Sequence, residues 1–152
     1  MEISGDSTMQ KLAEAFFQFK KLSWHHSPIG SLKSSELFVL FRIKDSTKPD
    51  DSGIMISEIS RHLKVAPPTV TQLVNGLVTN GFVERSIDKE DRRAVRIKLT
   101  EKGEGAVKKA KDALIVTFGG LVEFLGEDKS IELSDLLGQV FTYFKGLEEY
   151  NI

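Results

Sequence analysis

Between Ser57 and Leu99 the spacing of apolar residues changes character within one short stretch, and this limits the folds open to the chain. Ile59 and Leu63 stand at helical spacing; Val65-Ala66-Pro67 then breaks the pattern, and Val70, Leu73, Val74 and Leu77 resume it. Two runs follow, Phe82-Val83-Glu84-Arg85 and Val95-Arg96-Ile97-Lys98-Leu99, that alternate apolar and polar with period two, as strands with one buried face do. The spacing predicts a helix capped by Ser57 with Glu58 in its first turn, and a second helix opened by Pro68, whose missing N–H costs nothing there. Asn80-Gly81 stops that second helix, glycine being suited to a left-handed stop. Ser86–Ala94 is a charged hairpin connection. Elements this short bury one stripe each, so they must share one small core.

The flanks read as helices. Leu12, Phe16, Phe19 and Leu22 set a helix over about Thr8 to Ser23, broken by Ser27-Pro28-Ile29-Gly30. A second starts near the cap Ser34, carries Leu37, Leu40 and Phe41, and ends before the turn-rich Thr47–Gly53; Ile54-Met55-Ile56 is a short strand. After a cap at Thr100, Ala106, Ala110, Phe118, Leu121 and Leu125 mark a long helix, Glu127–Ser130 interrupts it, and Leu133, Leu136, Leu137, Val140, Phe141 and Phe144 mark a last one over about Ile131 to Glu149. That last apolar side is wider than a monomer of this size covers, which points to pairing with another chain.

The length of 152 residues and 40% hydrophobic content suit one compact folding unit. There is no cysteine, so disulfides, thiolate metal sites and thiol redox sensing are excluded. Met1 to Gln10 lack the basic-then-apolar layout of a signal peptide and no apolar run nears twenty residues, so we expect a cytoplasmic protein with no membrane partner. The net charge is only −1. Its distribution is uneven, however: Arg61 to Lys102 holds nine Lys and Arg against five Asp and Glu, and the remainder is acidic. A basic segment in an acidic frame suits a chain that touches phosphate with one surface.

The order helix, tight turn, helix, strand, charged hairpin, strand is the layout of a winged helix-turn-helix. In such a fold the second helix fits the major groove of double-stranded DNA and the hairpin reaches the backbone or the adjacent minor groove. Opposite the apolar stripe of that helix lie Thr69, Thr71, Gln72 and Asn75, short polar groups suited to base edges or phosphate; Gln72 and Asn75 are of the types that bind adenine through two bonds. On the hairpin cluster Lys89, Arg92, Arg93 and Arg96, and an arginine at its tip can enter a narrow minor groove. Asp88, Glu90 and Asp91 are repelled by phosphate, but one of them can hold an arginine extended through an ion pair.

Catalysis finds no support: the chain has no glycine-rich phosphate loop, nucleophile elbow or metal-protease helix, and Gly103 and Gly105 lack the lysine-hydroxyl pair of a phosphate loop. No cofactor is expected. Nor is a metal: His25 and His26 are adjacent, which sets them roughly 100° apart on a helix, and only His62 remains, near the DNA backbone or solvated. Besides DNA binding, the layout admits a protein-interaction module without a DNA role.

Ile59-Ser60-Arg61-His62-Leu63, Thr69 through Leu77, Asn80-Gly81-Phe82-Val83-Glu84-Arg85 and Asp91 through Thr100 with Gly103 together resemble the MarR family of transcriptional regulators. The resemblance is close over about half the chain and loose over nearly all of it. It implies a mainly α fold with a small β-wing (α+β): a single domain over 1–152, a DNA-binding lobe at 54–100, and dimerisation helices at 8–24 and 101–150. It further implies a homodimer on a pseudo-palindromic operator, with Asp91 as the wing aspartate and Arg93 as the wing-tip arginine. A small aromatic or phenolic effector that releases a repressor from DNA is also implied, near Phe16, Phe17, Trp24, His25, His26 and Phe41, although core packing accounts better for the phenylalanines. Pro67-Pro68 and Val78 depart from the family's pattern and leave base preference open.

Overall fold

The computed structural model describes residues 7–22, 30–46 and 52–150. In chain order its elements are α1 (Ser7–Lys20), α2 (Ser34–Asp45), β1 (Ile54–Met55), α3 (Ile56–Leu63), α4 (Pro67–Thr79), β2 (Val83–Ile87), β3 (Val95–Leu99), α5 (Glu101–Leu125) and α6 (Glu127–Tyr150). The architecture is the mainly helical one with a small antiparallel wing that the periodicities predict. The chain divides into two compact units, Met1–Ala106 and Val107–Ile152.

In the first unit the core is built from the apolar stripes of α2, α3 and α4 and the inner face of the sheet. Val39, Leu40, Ile59, Val70, Val74, Leu77 and Ile97 are fully buried, with Ile43, Ile54, Phe82 and Val83 nearly so. The sheet order is β1-β3-β2, all antiparallel; Ile97 pairs with Ile54 on one side and with Arg85 on the other. This register turns Val83, Ile97 and Ile54 inward, and a slip of one residue would expose all of them.

Helix α3 begins at Ile56, not at Ser57. Glu58 explains the shift: its carboxylate accepts from the Met55 amide at 2.9 Å and so closes the first turn one residue earlier, leaving Ser57 exposed within the helix. Glu36 does the same for α2, accepting from the Lys33 amide at 2.8 Å, so that Lys33 and not Ser34 is the cap. The turn between α3 and α4 is set by Lys64, a non-glycine residue in the left-handed region at φ 54°. Buried Ser60 stabilises that turn: its hydroxyl donates to the Val65 carbonyl at 2.5 Å and its own carbonyl accepts from the Val65 amide at 3.2 Å. Gly81, at φ +77°, stops α4 as expected.

Thr100 joins the sheet to α5. Its hydroxyl donates to the Gly81 carbonyl at 2.6 Å and accepts from the Gly103 amide at 3.1 Å. In the second unit the break between α5 and α6 is a single residue, Gly126 at φ +84°, and α6 starts at Glu127 rather than near Ile131. Glu127 and Asp128 supply negative charge to the first turn of α6, where it suits the helix dipole. Among the described residues no helix is long and apolar enough to cross a membrane.

Candidate nucleic-acid interface

Burial of Val70, Val74 and Leu77 fixes the rotation of α4 about its axis. The opposite side must then face outward, and Thr69, Gln72 and Asn75 are all exposed there. Thr71 lies off this line, half-buried, with its hydroxyl donating back to the Pro67 carbonyl at 3.0 Å. Its hydroxyl proton is thereby engaged, and only acceptor capacity remains for a ligand. Pro67 and Pro68 occupy the first positions of α4 and bring no amide protons. The next amide, Thr69, donates to the Ala66 carbonyl at 3.0 Å. A helix N-terminus ordinarily offers free amides to phosphate, and α4 has given most of them up. The exposed donors of this lobe are instead side chains.

The wing supplies those side chains on a braced loop. Asp88 stands at its base and accepts through Oδ1 from the Glu90 and Asp91 amides at 2.8 and 3.0 Å. Its Oδ2 pairs with Arg96 Nε, and Arg96 Nη1 in turn donates to the Gly53 carbonyl at 3.2 Å, which ties β3 and the wing to the start of β1. The Arg96 hydrogen bond, and then the two amides, hold the Asp88 carboxyl at about 2, well below the usual range. The Asp88 amide donates to the Ala94 carbonyl at 3.0 Å, and the Ala94 amide to the Asp91 carbonyl at 2.9 Å, closing the loop. Asp91 spends its carboxylate on the Arg93 amide at 2.9 Å.

Of the three acids in the loop, then, Asp88 holds an arginine, and that arginine is Arg96. Its role is to stiffen the wing rather than extend a cation toward a ligand. Lys89, Arg92 and Arg93 are exposed, and among the described residues their side-chain charges make no ion pair. The loop thus presents three exposed cations and the exposed Glu90 beyond a base in which Asp88 and Asp91 are bonded internally. Periodicity gave no sign of one further cation. Arg85, exposed on β2, donates from Nη2 to Asn75 Oδ1 on α4. A bond across ten residues and a change of element has no sequence signature, although the register sets Arg85 on the same face of β2 as Val83, the side that meets α4.

The residues expected near an effector are less concentrated. Phe41 is half-buried on α2. Phe16 and Phe17, on α1, are 47% and 57% exposed, so they lie outside the chain's core, contrary to the packing expected of them; α1 buries none of its residues. Trp24, His25 and His26 lie outside the described residues. His62 is exposed on α3, with Nδ1 donating to the Glu58 carbonyl at 2.7 Å. Among the described residues no three His, Asp or Glu side chains converge as metal ligands do.

Comparison with known proteins agrees with this geometry. Residues 32–95 match the model of the MarR family. The chain is 33% identical over 87 residues to the HTH-type transcriptional regulator TtmR of Methylorubrum extorquens, covering 57% of this chain and 44% of that one. It spans about half the length of the curated relatives it matches. Among solved structures, a mutant MarR from E. coli complexed with operator DNA superposes with a TM-score of 0.63 at 25% identity, over 88% of this chain and 94% of that one. CouR bound to a 23-mer DNA duplex gives 0.68 at 22% identity, over 92% and 97%. Family members are transcription regulators and not enzymes. The match over residues 32–95, together with a fold shared over nearly nine-tenths of the chain, makes this protein similar to the MarR family of winged helix-turn-helix regulators.

Proposed function

We propose that the chain is a sequence-specific DNA-binding transcriptional repressor that acts as a homodimer. Each protomer would set α4 in a major-groove half-site and its wing in the neighbouring minor groove. The observation that carries this reading is the pairing, on one lobe, of an exposed polar recognition face with a wing in which Asp88 and Asp91 are bonded internally while Lys89, Arg92 and Arg93 are exposed and make no ion pair among the described residues. Phosphate contacts supply most of the affinity in such a complex, and Gln72, Asn75 and Arg93 supply preference. Two lobes related by a dyad address half-site centres about 34 to 36 Å apart on a pseudo-palindromic operator. Exposed apolar residues on α1, α5 and α6 support the dimer, which the helices at 8–24 and 101–150 would form.

The experiment is a fluorescence-anisotropy titration against the DNA flanking the protein's own gene, with a random duplex as control. Preference for the flanking DNA is the expected result; no binding to either duplex at low salt would replace this reading with a protein-interaction module. Release by a small aromatic or phenolic acid is the second part of the proposal, resting on the family resemblance and on the exposed Phe16 and half-buried Phe41. Adding hydroxybenzoate to the complex should lower the anisotropy, and an unchanged signal across the phenolic acids would remove that part.

A further inference from the structure

An asparagine that reads adenine does so with both ends of its amide, donating from Nδ2 to N7 and accepting at Oδ1 from the N6 amino group. At Asn75 one of the two Oδ1 lone pairs is already taken. Arg85 Nη2 donates to its Oδ1, and because a guanidinium has donors only, the orientation of the amide is forced: oxygen toward β2, amino group away from it. Any base amino group approaching the Oδ1 would also approach the guanidinium, donor against donor. The two exposed side chains together therefore present a surface of donors, Nδ2 of Asn75 beside the remaining N–H groups of Arg85. In the major groove that surface complements the O6 and N7 acceptors of guanine and mismatches the donor-acceptor edge of adenine.

We infer that Arg85 is a specificity-determining residue: it locks the Asn75 amide so that the pair selects guanine, and without it Asn75 reverts to adenine. This rests on the DNA-binding reading above. A merely structural role, in which the bond pins β2 to α4, would change affinity for every sequence alike.

The test enriches bound duplexes from a random-sequence library with the full chain and with Asn75→Ala, Arg85→Ala and Arg85→Lys, each checked for folding by circular dichroism. Positions whose preference disappears in Asn75→Ala are those that Asn75 reads. The expected outcome is guanine at those positions for the wild type, and a shift toward adenine of roughly tenfold, at those positions only, in Arg85→Ala. Arg85→Lys, which keeps a cationic donor on the strand, should retain guanine and keeps the test usable if the alanine variant does not fold. Adenine at those positions in the wild type, or preferences unchanged in Arg85→Ala with affinity lowered evenly, would overturn the inference. A wild-type chain that enriches nothing and binds no duplex at low salt would instead defeat the DNA reading itself, and the inference with it.

Discussion

Asp88 illustrates how one side chain can set the shape of a loop. Its carboxylate is needed in the charged form by two amides and by Arg96, so the folded chain holds its proton less tightly than the unfolded chain does, where an aspartate titrates near about 3.9. Between that value and about 2 the unfolded state binds more protons, and stability rises with pH. The contribution is therefore complete above pH of about 4 and is lost as pH falls through the folded value. Asp88→Asn should remove it: a chemical-denaturation series between pH 2 and 5 should show a shallower acid slope for the variant than for the wild type. Parallel curves would mean that the carboxylate is not in the charged pair.

Two glycines of the same tetrapeptide mark the difference between backbone freedom and lack of room. A Cβ on Gly103 would lie 2.0 Å from the Phe82 carbonyl oxygen, whereas one on Gly105 would meet nothing within 4 Å. Glycine costs a helix roughly 0.5–1 kcal/mol relative to alanine, so the two substitutions should have opposite signs. Gly105→Ala should raise the urea midpoint slightly. Gly103→Ala should lower it, by the equivalent of about 3 kcal/mol, because the atom in the way is backbone and cannot swing aside. Equal effects at the two sites would show that α5 does not start against the Phe82 backbone in this manner.

Elements were readable where a single periodicity governed them. α4 and β3 appear almost where the apolar spacing puts them, because a buried stripe of Val70, Val74 and Leu77 or an inward Ile97 leaves one solution. Starts of helices were less legible: a serine before a helical run is a strong cap signal, yet Glu58 and Glu36 reach back and move both starts by a residue. The gap expected before α6 shrinks to Gly126 because Glu127 and Asp128 tolerate, and favour, a first turn. In the site, the outward face of α4 and the wing cations followed from pattern. What each acid and amide is bonded to did not, since Asp88 with Arg96 and Asn75 with Arg85 depend on how separate elements meet.

At the scale of the molecule the distribution of apolar surface matters most. α5 and α6 leave Phe118, Leu121, Val122, Leu136, Leu137, Phe141 and Phe144 exposed, far more than scattered surface residues require, and the proposed homodimer would cover such a surface. Sedimentation equilibrium should accordingly give a particle of twice the 17.0 kDa chain mass, and a monomer at micromolar concentration would remove the two-fold arrangement of recognition helices.

Whether α4 and the wing together bind duplex DNA is decided by the salt dependence of the dissociation constant for the wild type and for Arg92→Ala/Arg93→Ala. Binding that neutralises phosphates releases counterions, so log affinity should fall linearly with log salt, with a slope of about −0.9 for each phosphate neutralised. A steep line is expected for the wild type. The double variant should form a weaker complex, by roughly tenfold or more, and give a shallower line by about one to two units of slope for each protomer bound. Affinity independent of salt, or superposable lines for the two proteins, would contradict DNA binding through α4 and the wing.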